Sequence, residues 1–241
     1  MKGFDLARFI TAVVVAILTI AFVYYKNRTK KYAYSARFLV RCAIFAAFSI
    51  ILYIVPVFNL ALPIFPSFLK IHFDEVPVFI AGFAYGPLAA IFILIVKTLV
   101  KLPMTSTMGV GELADLIYSL AFILPACIFY KRHRSIKGVL MAFGIGFIFQ
   151  LVASCFLTTF LILKFYIFVM GWSEGMILSM CQAVNPAITD LKWPFFFIVA
   201  LPFNAIKDAL VILLTFLLYK RLHTLIDKIV TKEIEAQKNQ E

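Results

Sequence analysis

The sequence predicts an all-α integral membrane protein with seven spans, and three observations carry that expectation. Of its 241 residues, 63% are hydrophobic and only 15% charged, with a mean hydropathy of +1.00, which excludes an ordinary soluble domain. The apolar stretches are long and uninterrupted, whereas an outer-membrane barrel alternates in segments of about ten residues; helices are then the structures that satisfy their own backbone in lipid. The formal charge of +11 is gathered largely into clusters between the apolar runs. That pattern orients a chain in a membrane and requires no nucleic acid.

The elements follow in order. An apolar run from Phe9 to Tyr25 has no small-residue cleavage site after it and reads as a retained helix over 6–25. The first basic cluster is Lys26, Arg28, Lys30, Lys31, Arg37 and Arg41; the second is Lys131, Arg132, Arg134 and Lys137; the third begins with Lys220, Arg221, Lys228 and Lys232. If all three are cytoplasmic, each interval between them holds an even number of crossings. Helices over about 138–163 and 194–219 supply two, joined by an outer loop containing Trp172, Glu174, Asn185, Pro186 and Asp190. The interval 42–130 offers three apolar blocks, 42–69, 76–96 and 113–130, and three is the wrong parity. Gly86-Pro87 resolves it: a turn followed by a proline suited to the first helical position splits the middle block into two short spans, 73–85 and 87–102. The topology is therefore seven spans with Met1 outside and Glu241 inside. The division is an N-terminal helix and basic linker (1–36), a bundle (37–222) and a polar cytoplasmic tail (223–241).

Polar residues inside the spans need a reason, because a charge at the bilayer centre costs about 2.5–3.5 kcal/mol on insertion scales. Asn204 and Lys207 lie three apart on one face of the last helix, able to point at a common object. The structural alternative pairs Lys207 with Asp208 or Asp115. Glu112 and Asp115 share the same spacing near the start of another helix, where they either touch a ligand or cap the helix and pair with Lys97 or Lys101. Asp74 and Glu75, before Val76-Pro77, are expected to cap. Phe58, Phe65, Phe68 and Phe73 fall in a loop broken by Pro56, Pro63 and Pro66, suited either to a lid over a flat ring or to interfacial anchoring. Ala43 and Ala47, with Ala46 beside them, form a small-residue pair that lets another helix approach closely.

Other signals reduce to bland readings. Cys42, Cys127, Cys155 and Cys181 stand singly in apolar sequence and read as buried free thiols, with no metal site indicated. Gly109-Val110-Gly111-Glu112-Leu113-Ala114 matches a dinucleotide fingerprint by letters alone, since no strand precedes it. The GxxxxGK[ST] device for cradling ATP is absent, so any pumping energy comes from elsewhere.

Three blocks carry a resemblance: Phe65 to Pro77 (FPSFLKIHFDEVP), Ala81 to Ala89 (AGFAYGPLA) and Gly109 to Ala114 (GVGELA). Together they look like the substrate-binding S component of energy-coupling factor (ECF) vitamin transporters. Asn185 to Asp190 (NPAITD), Pro202 to Lys207 (PFNAIK) and Thr215 to Leu222 (TFLLYKRL) resemble the riboflavin-specific branch, and the likeness spans about 37–222. It implies a six-helix S-component bundle plus one extra N-terminal transmembrane helix. It also implies a vitamin held near the outer face of the cell membrane, with a transmembrane coupling subunit and two cytoplasmic ATPases as partners, and no enzymatic activity.

In that family the small-residue motif, here Ala43 and Ala47, packs on the coupling protein, and the Asn-x-x-Lys of the last helix, here Asn204 and Lys207, contacts the flavin. Two positions depart from the branch's pattern: Thr158 stands where an Asn is usual, and GELAN reads GELAD, with Asp115 last. The expected binding set is Asn204, Lys207, Thr158, Glu112, Asp115, Phe65, Phe68 and Lys97. The ligand is riboflavin or FMN, carried as cargo rather than held as a cofactor. The competing readings are an S component for another water-soluble vitamin, a seven-helix retinal protein with its Schiff base on Lys207, and a ligand-free membrane scaffold.

Overall fold

A computed structural model describes residues 36–105 and 107–238; the helix expected over 6–25 lies outside them. The chain separates into two units, Met1–Leu39 and Val40–Glu241, and the architecture below is that of the second. Among the described residues there are seven helices: α1 (Ala36–Ile54), α2 (Glu75–Tyr85), α3 (Pro87–Lys101), α4 (Val110–Arg132), α5 (Ile136–Phe168), α6 (Glu174–Gln182) and α7 (193–238). The stretches Pro87–Met104, Val110–Arg132, Ile136–Phe168 and Trp193–Arg221 are long and apolar enough to cross a membrane. Phe38–Ile54 and Glu75–Tyr85 are apolar but shorter.

The shortest apolar helix is the central one. α2 has 11 residues, about 17 Å of rise against a hydrocarbon core of about 30 Å, and every residue from Glu75 to Ala84 is buried. It packs on α3, α4 and α7. A helix enclosed by protein on all sides has no lipid to match, so its length is set by its neighbours. The turn expected at Gly86-Pro87 is present: Gly86 has φ +89°, open to glycine without a Cβ penalty, and Pro87 opens α3. α4 and α5 form the most extended pair, brought together at Gly146, where a Cβ would run into the Phe122 carbonyl oxygen.

Three helices differ from expectation, one of them α7, which continues past 219 to Lys238. α5 runs five residues past 163 because Leu163 and Phe165 remain buried while Lys164, which reads in one dimension as a terminus, is exposed. The loop after Trp172 contains α6, whose N-terminus is capped by Ser173 Oγ accepting from the Met176 amide (3.0 Å) and whose Ile177 and Cys181 are fully buried one turn apart. Both α5 and α7 also contain a π-helical turn, at Thr158–Ile162 and Phe196–Ala200, and the two turns lie against one another. The four cysteines are buried free thiols, as their sequence context predicts.

Candidate functional site

The N-terminal end of α2 is where the bundle's buried charges meet. α3 presents Lys97, fully buried; α4 presents Asp115 and, one turn on, Ser119; α7 presents Lys207, 4% exposed; and the chain entering α2 presents His72, Asp74 and Glu75. Lys97 Nζ donates to Asp74 Oδ2 and to Asp115 Oδ2 (3.1 Å), with Ser119 Oγ at 3.5 Å. Lys207 Nζ donates to Glu75 Oε1 (3.2 Å), which also accepts from Ser119 Oγ (2.9 Å), and lies 3.9 Å from Asp115 Oδ1. His72 Nδ1 donates to Asp74 Oδ1 (2.7 Å), and its Nε2 is 4.0 Å from Asp115. Asp115 therefore touches both lysines and the histidine. In a low-dielectric interior such charges persist only as a mutually satisfied set, and each ammonium here has at least one carboxylate.

α1 closes one side. Its Tyr53 ring lies under Lys97 Nζ (4.9 Å to the centroid) and Lys101 Nζ (5.4 Å) and meets the His72 ring edge-on, while Ser49 Oγ donates to the Asp74 carbonyl (2.7 Å). The segment before α2 is strapped by paired backbone hydrogen bonds between Leu60 and Ile71, both 2.8 Å. Phe65, buried, meets Phe203 of α7 edge-to-face at 5.3 Å. Phe68 and Phe73 pack at the margin of the same apolar cluster, and Phe58 is exposed.

These placements sort the expected residues. Lys97, Asp115 and Lys207 form one network. Lys97 rather than Lys101 is the partner of Asp115, and Lys207 turns to Glu75 and Asp115, while the Asp208 carboxylate has no hydrogen-bond partner among the described residues. Asn204 shares the Lys207 face but bends back to donate to the Ala200 carbonyl (2.8 Å), at the end of the π turn. Thr158 opens the other π turn and hydrogen-bonds Tyr118 Oη (3.0 Å), one turn beyond Asp115 on α4. Glu112 is held apart from the lysines, accepting from the hydroxyls of Thr105 (2.7 Å) and Thr107 (3.1 Å). Ala43 and Ala47 are exposed on α1, with Ala46 buried beside them.

The capping expected of Asp74 and Glu75 is not found: neither side chain caps α2, and both serve the lysines instead. Tyr53, His72, Ser119 and Tyr118 were not singled out by sequence reasoning. Ser119 had a signal, since it lies seven residues from Glu112 and four from Asp115 on the same helical stripe. A groove of about 290 Å³ between the start of α5 and the far part of α7, lined by Ile136, Phe216, Tyr219 and Lys220, is not part of this network.

A helical bundle with a buried network of paired charges among its membrane-crossing helices defines a multi-pass membrane protein with an internal polar site. Residues 37–223 match the family described as "ECF transporter, substrate-specific component", and the chain belongs to that family. It is 29% identical over 183 residues to the riboflavin transporter RibU of Staphylococcus aureus (strain TCH60), covering 75% of this chain and 89% of that protein. It is 28% identical over 184 residues to the riboflavin transporter FmnP of Bacillus subtilis (strain 168), covering 75% and 90%. A solved structure described as the S component of a bacterial ECF transporter superposes with a TM-score of 0.60 at 24% identity, covering 79% of this chain and 97% of that one, which shows the fold. Membership bears out the S-component resemblance and the non-enzymatic reading, and it sets aside the retinal protein and the scaffold.

Proposed function

We propose that this protein captures riboflavin or FMN from outside the cell membrane and delivers it inward together with a transmembrane coupling subunit and two cytoplasmic ATPases. The observation that carries the reading is the convergence of two buried lysines, Lys97 and Lys207, beneath an aromatic loop, in a chain whose two relatives above are riboflavin transporters over three-quarters of its length. A flavin wants apolar walls for its tricyclic ring and a few fixed donors for its carbonyls and hydroxyls. Phe65, Phe68 and Phe203 supply walls. Lys207, Lys97, Asn204, Thr158 and Asp115 supply polar groups, and Asn204 becomes a donor and acceptor for an amide-like edge once its bond to Ala200 is given up.

In this reading the network end of the bundle faces outward and the tail after Arg221 lies in the cytoplasm, consistent with basic residues at Lys131, Arg132, Arg134, Lys137, Lys220 and Arg221. The exposed Ala43 and Ala47 on α1 offer a surface on which the coupling subunit packs closely. The division into an N-terminal helix, a bundle over 37–222 and a cytoplasmic tail belongs to the same proposal.

Titration of the purified protein with a small panel of vitamins tests it. Riboflavin or FMN is expected to bind near-stoichiometrically at about nanomolar Kd, about −12 kcal/mol, and Lys207→Ala or Asn204→Ala to weaken binding at least tenfold. A protein that ignores both flavins and binds another vitamin refutes the flavin assignment.

A further inference from the structure

Among the described residues five acids are buried, and one of them is unlike the rest. Asp74 and Asp115 accept from Lys97, Glu75 from Lys207, and Glu112 from the hydroxyls of Thr105 and Thr107. Asp208, fully buried in α7, has no hydrogen-bond partner at either carboxyl oxygen. Its neighbour in sequence does not serve it. Lys207 Nζ is turned to Glu75 Oε1 (3.2 Å) with Asp115 Oδ1 at 3.9 Å, and adjacent positions on a helix do not face one another.

The elements packed on α7 bring Asp208 no counter-ion either. α2 brings Glu75 and Asp74, both acidic and both held by lysines. α4 meets α7 through Tyr130 and Tyr219, and its Asp115 is committed to Lys97. α5 runs antiparallel to α7 with the two π turns against one another. Gln150 and Asp208 each lie ten residues from the middle of those turns, Phe160 and Ile198, which sets them level with one another. Gln150 is fully buried, its Nε2 has no partner, and its Oε1 accepts from Ser154 Oγ (3.1 Å). Cys155 beside Ser154 is the titratable group on this buried face of α5, in one apolar cluster with Phe203 and Leu210 of α7.

An ionised Asp208 would thus have acids on one side and neutral groups on the other. In a membrane interior a carboxylate with neither hydrogen bond nor counter-ion costs far more than the same group neutralised. A metal ion is one way to neutralise it, but among the described residues no three His, Cys, Asp or Glu side chains are grouped to hold one. The geometry points to Asp208 as a proton-binding site in the interior of the bundle. The proton comes from the surrounding water and sits on one carboxyl oxygen, which leaves the other to accept from the Gln150 amide. Lys207 links this site to the ligand. An ionised Asp208 gives that ammonium a further carboxylate to serve and draws it from a bound flavin, whereas a protonated Asp208 leaves it available. Flavin binding therefore favours the protonated form, and by linkage the affinity falls as pH rises through the titration of Asp208. This coupling rests on the flavin reading above; the proton site does not.

Infrared difference spectroscopy on the detergent-purified full chain, wild type against Asp208→Asn, reads the proton site without any ligand. At neutral pH the wild type is expected to show the carbonyl stretch of a protonated carboxyl, shifted in heavy water, and Asp208→Asn to lose it. A wild type without that band overturns the proton site even if the variant does not fold, and so does a folded Asp208→Asn protein that keeps the whole band. Riboflavin titrations then read the coupling. The wild-type Kd is expected to rise about fivefold or more between about pH 7 and about pH 9, within the limit of about tenfold per pH unit that one proton sets. Asp208→Asn is expected to lose that rise, and Cys155→Ser, which removes the titratable group on the facing side of α5, to keep it. A rise that persists in Asp208→Asn, or a wild-type Kd that stays flat, overturns the coupling. Binding of neither riboflavin nor FMN at any pH overturns the flavin reading and the coupling with it, while the carboxyl band still decides the proton site.

Discussion

The two ends of α2 sit in different interiors. At its N-terminal end Asp74 and Glu75 join Lys97, Asp115, Ser119 and Lys207 in a set where each charged group depends on particular partners. Toward its C-terminal end Phe79 and Phe83 enter a cluster of rings. Phe79 meets Phe122 edge-on at 4.8 Å and Phe143 at 5.4 Å, and Phe83 meets Tyr130 at 4.6 Å and Tyr219 at 5.9 Å. Ring contacts are individually small and overlap, so losing one leaves the others in place. Buried charges behave oppositely, because each lost partner exposes the full desolvation cost of the one left behind. Under the proposed function, the ligand would meet the end whose contacts are specific and leave the ring-filled end undisturbed.

The largest effect is therefore expected at the polar end. Lys97→Met keeps the bulk of the side chain but strands Asp74 and Asp115, and it should cost about 3–5 kcal/mol, read as a fall in the thermal unfolding midpoint in detergent. Combining it with Asp74→Asn should restore part of the loss, since one of the two stranded charges is then gone and the other, Asp115, still has Lys207 at 3.9 Å. If the double variant is as unstable as the single one, Lys97 acts by packing and the contrast between the two ends fails at its strongest point.

A smaller effect is expected at the aromatic end. Phe79→Leu removes a ring that is fully buried but leaves an apolar side chain among Phe83, Phe122 and Phe143, at a cost of about 1–2 kcal/mol. The vitamin binding proposed above should not change, and a loss of it would join the two ends that the structure keeps apart.

How far the sequence showed this arrangement depends on the reach of each interaction. Helix positions were legible because hydropathy accumulates over many residues, and the α2–α3 turn was legible because Gly86 and Pro87 are adjacent and act locally. The pair Lys97 and Asp115 was named among the options because helix spacing places each on a definite face. Asp74 and Glu75 were misassigned to capping, since an acid ahead of a helix looks the same in one dimension whether it serves the backbone or a distant cation. Their actual partners lie 23 and 132 residues away. The π turns at Thr158–Ile162 and Phe196–Ala200 had no signature either, because each adds one residue to a helix in response to packing and not to a local residue preference.

The smallest effect is expected where the aromatic end itself becomes polar. Tyr130 and Tyr219 are buried, 89 residues apart in sequence, with hydroxyls 2.8 Å apart and rings nearly perpendicular at 86°. Tyr219→Phe deletes one hydroxyl and keeps both rings and their contacts with Phe83, so the loss should be on the scale of neutral hydrogen bonding, about 0.5–1.5 kcal/mol. The comparison with Lys97→Met is direct, since both variants remove one buried polar group whose partners lie on other helices or far along the chain. What differs is the partner left behind: a neutral hydroxyl packed among rings in one case and carboxylates in the other. Should Tyr219→Phe lower the unfolding midpoint as far as Lys97→Met does, the aromatic end would also hang on one polar link, and its stability would not come from overlapping ring contacts.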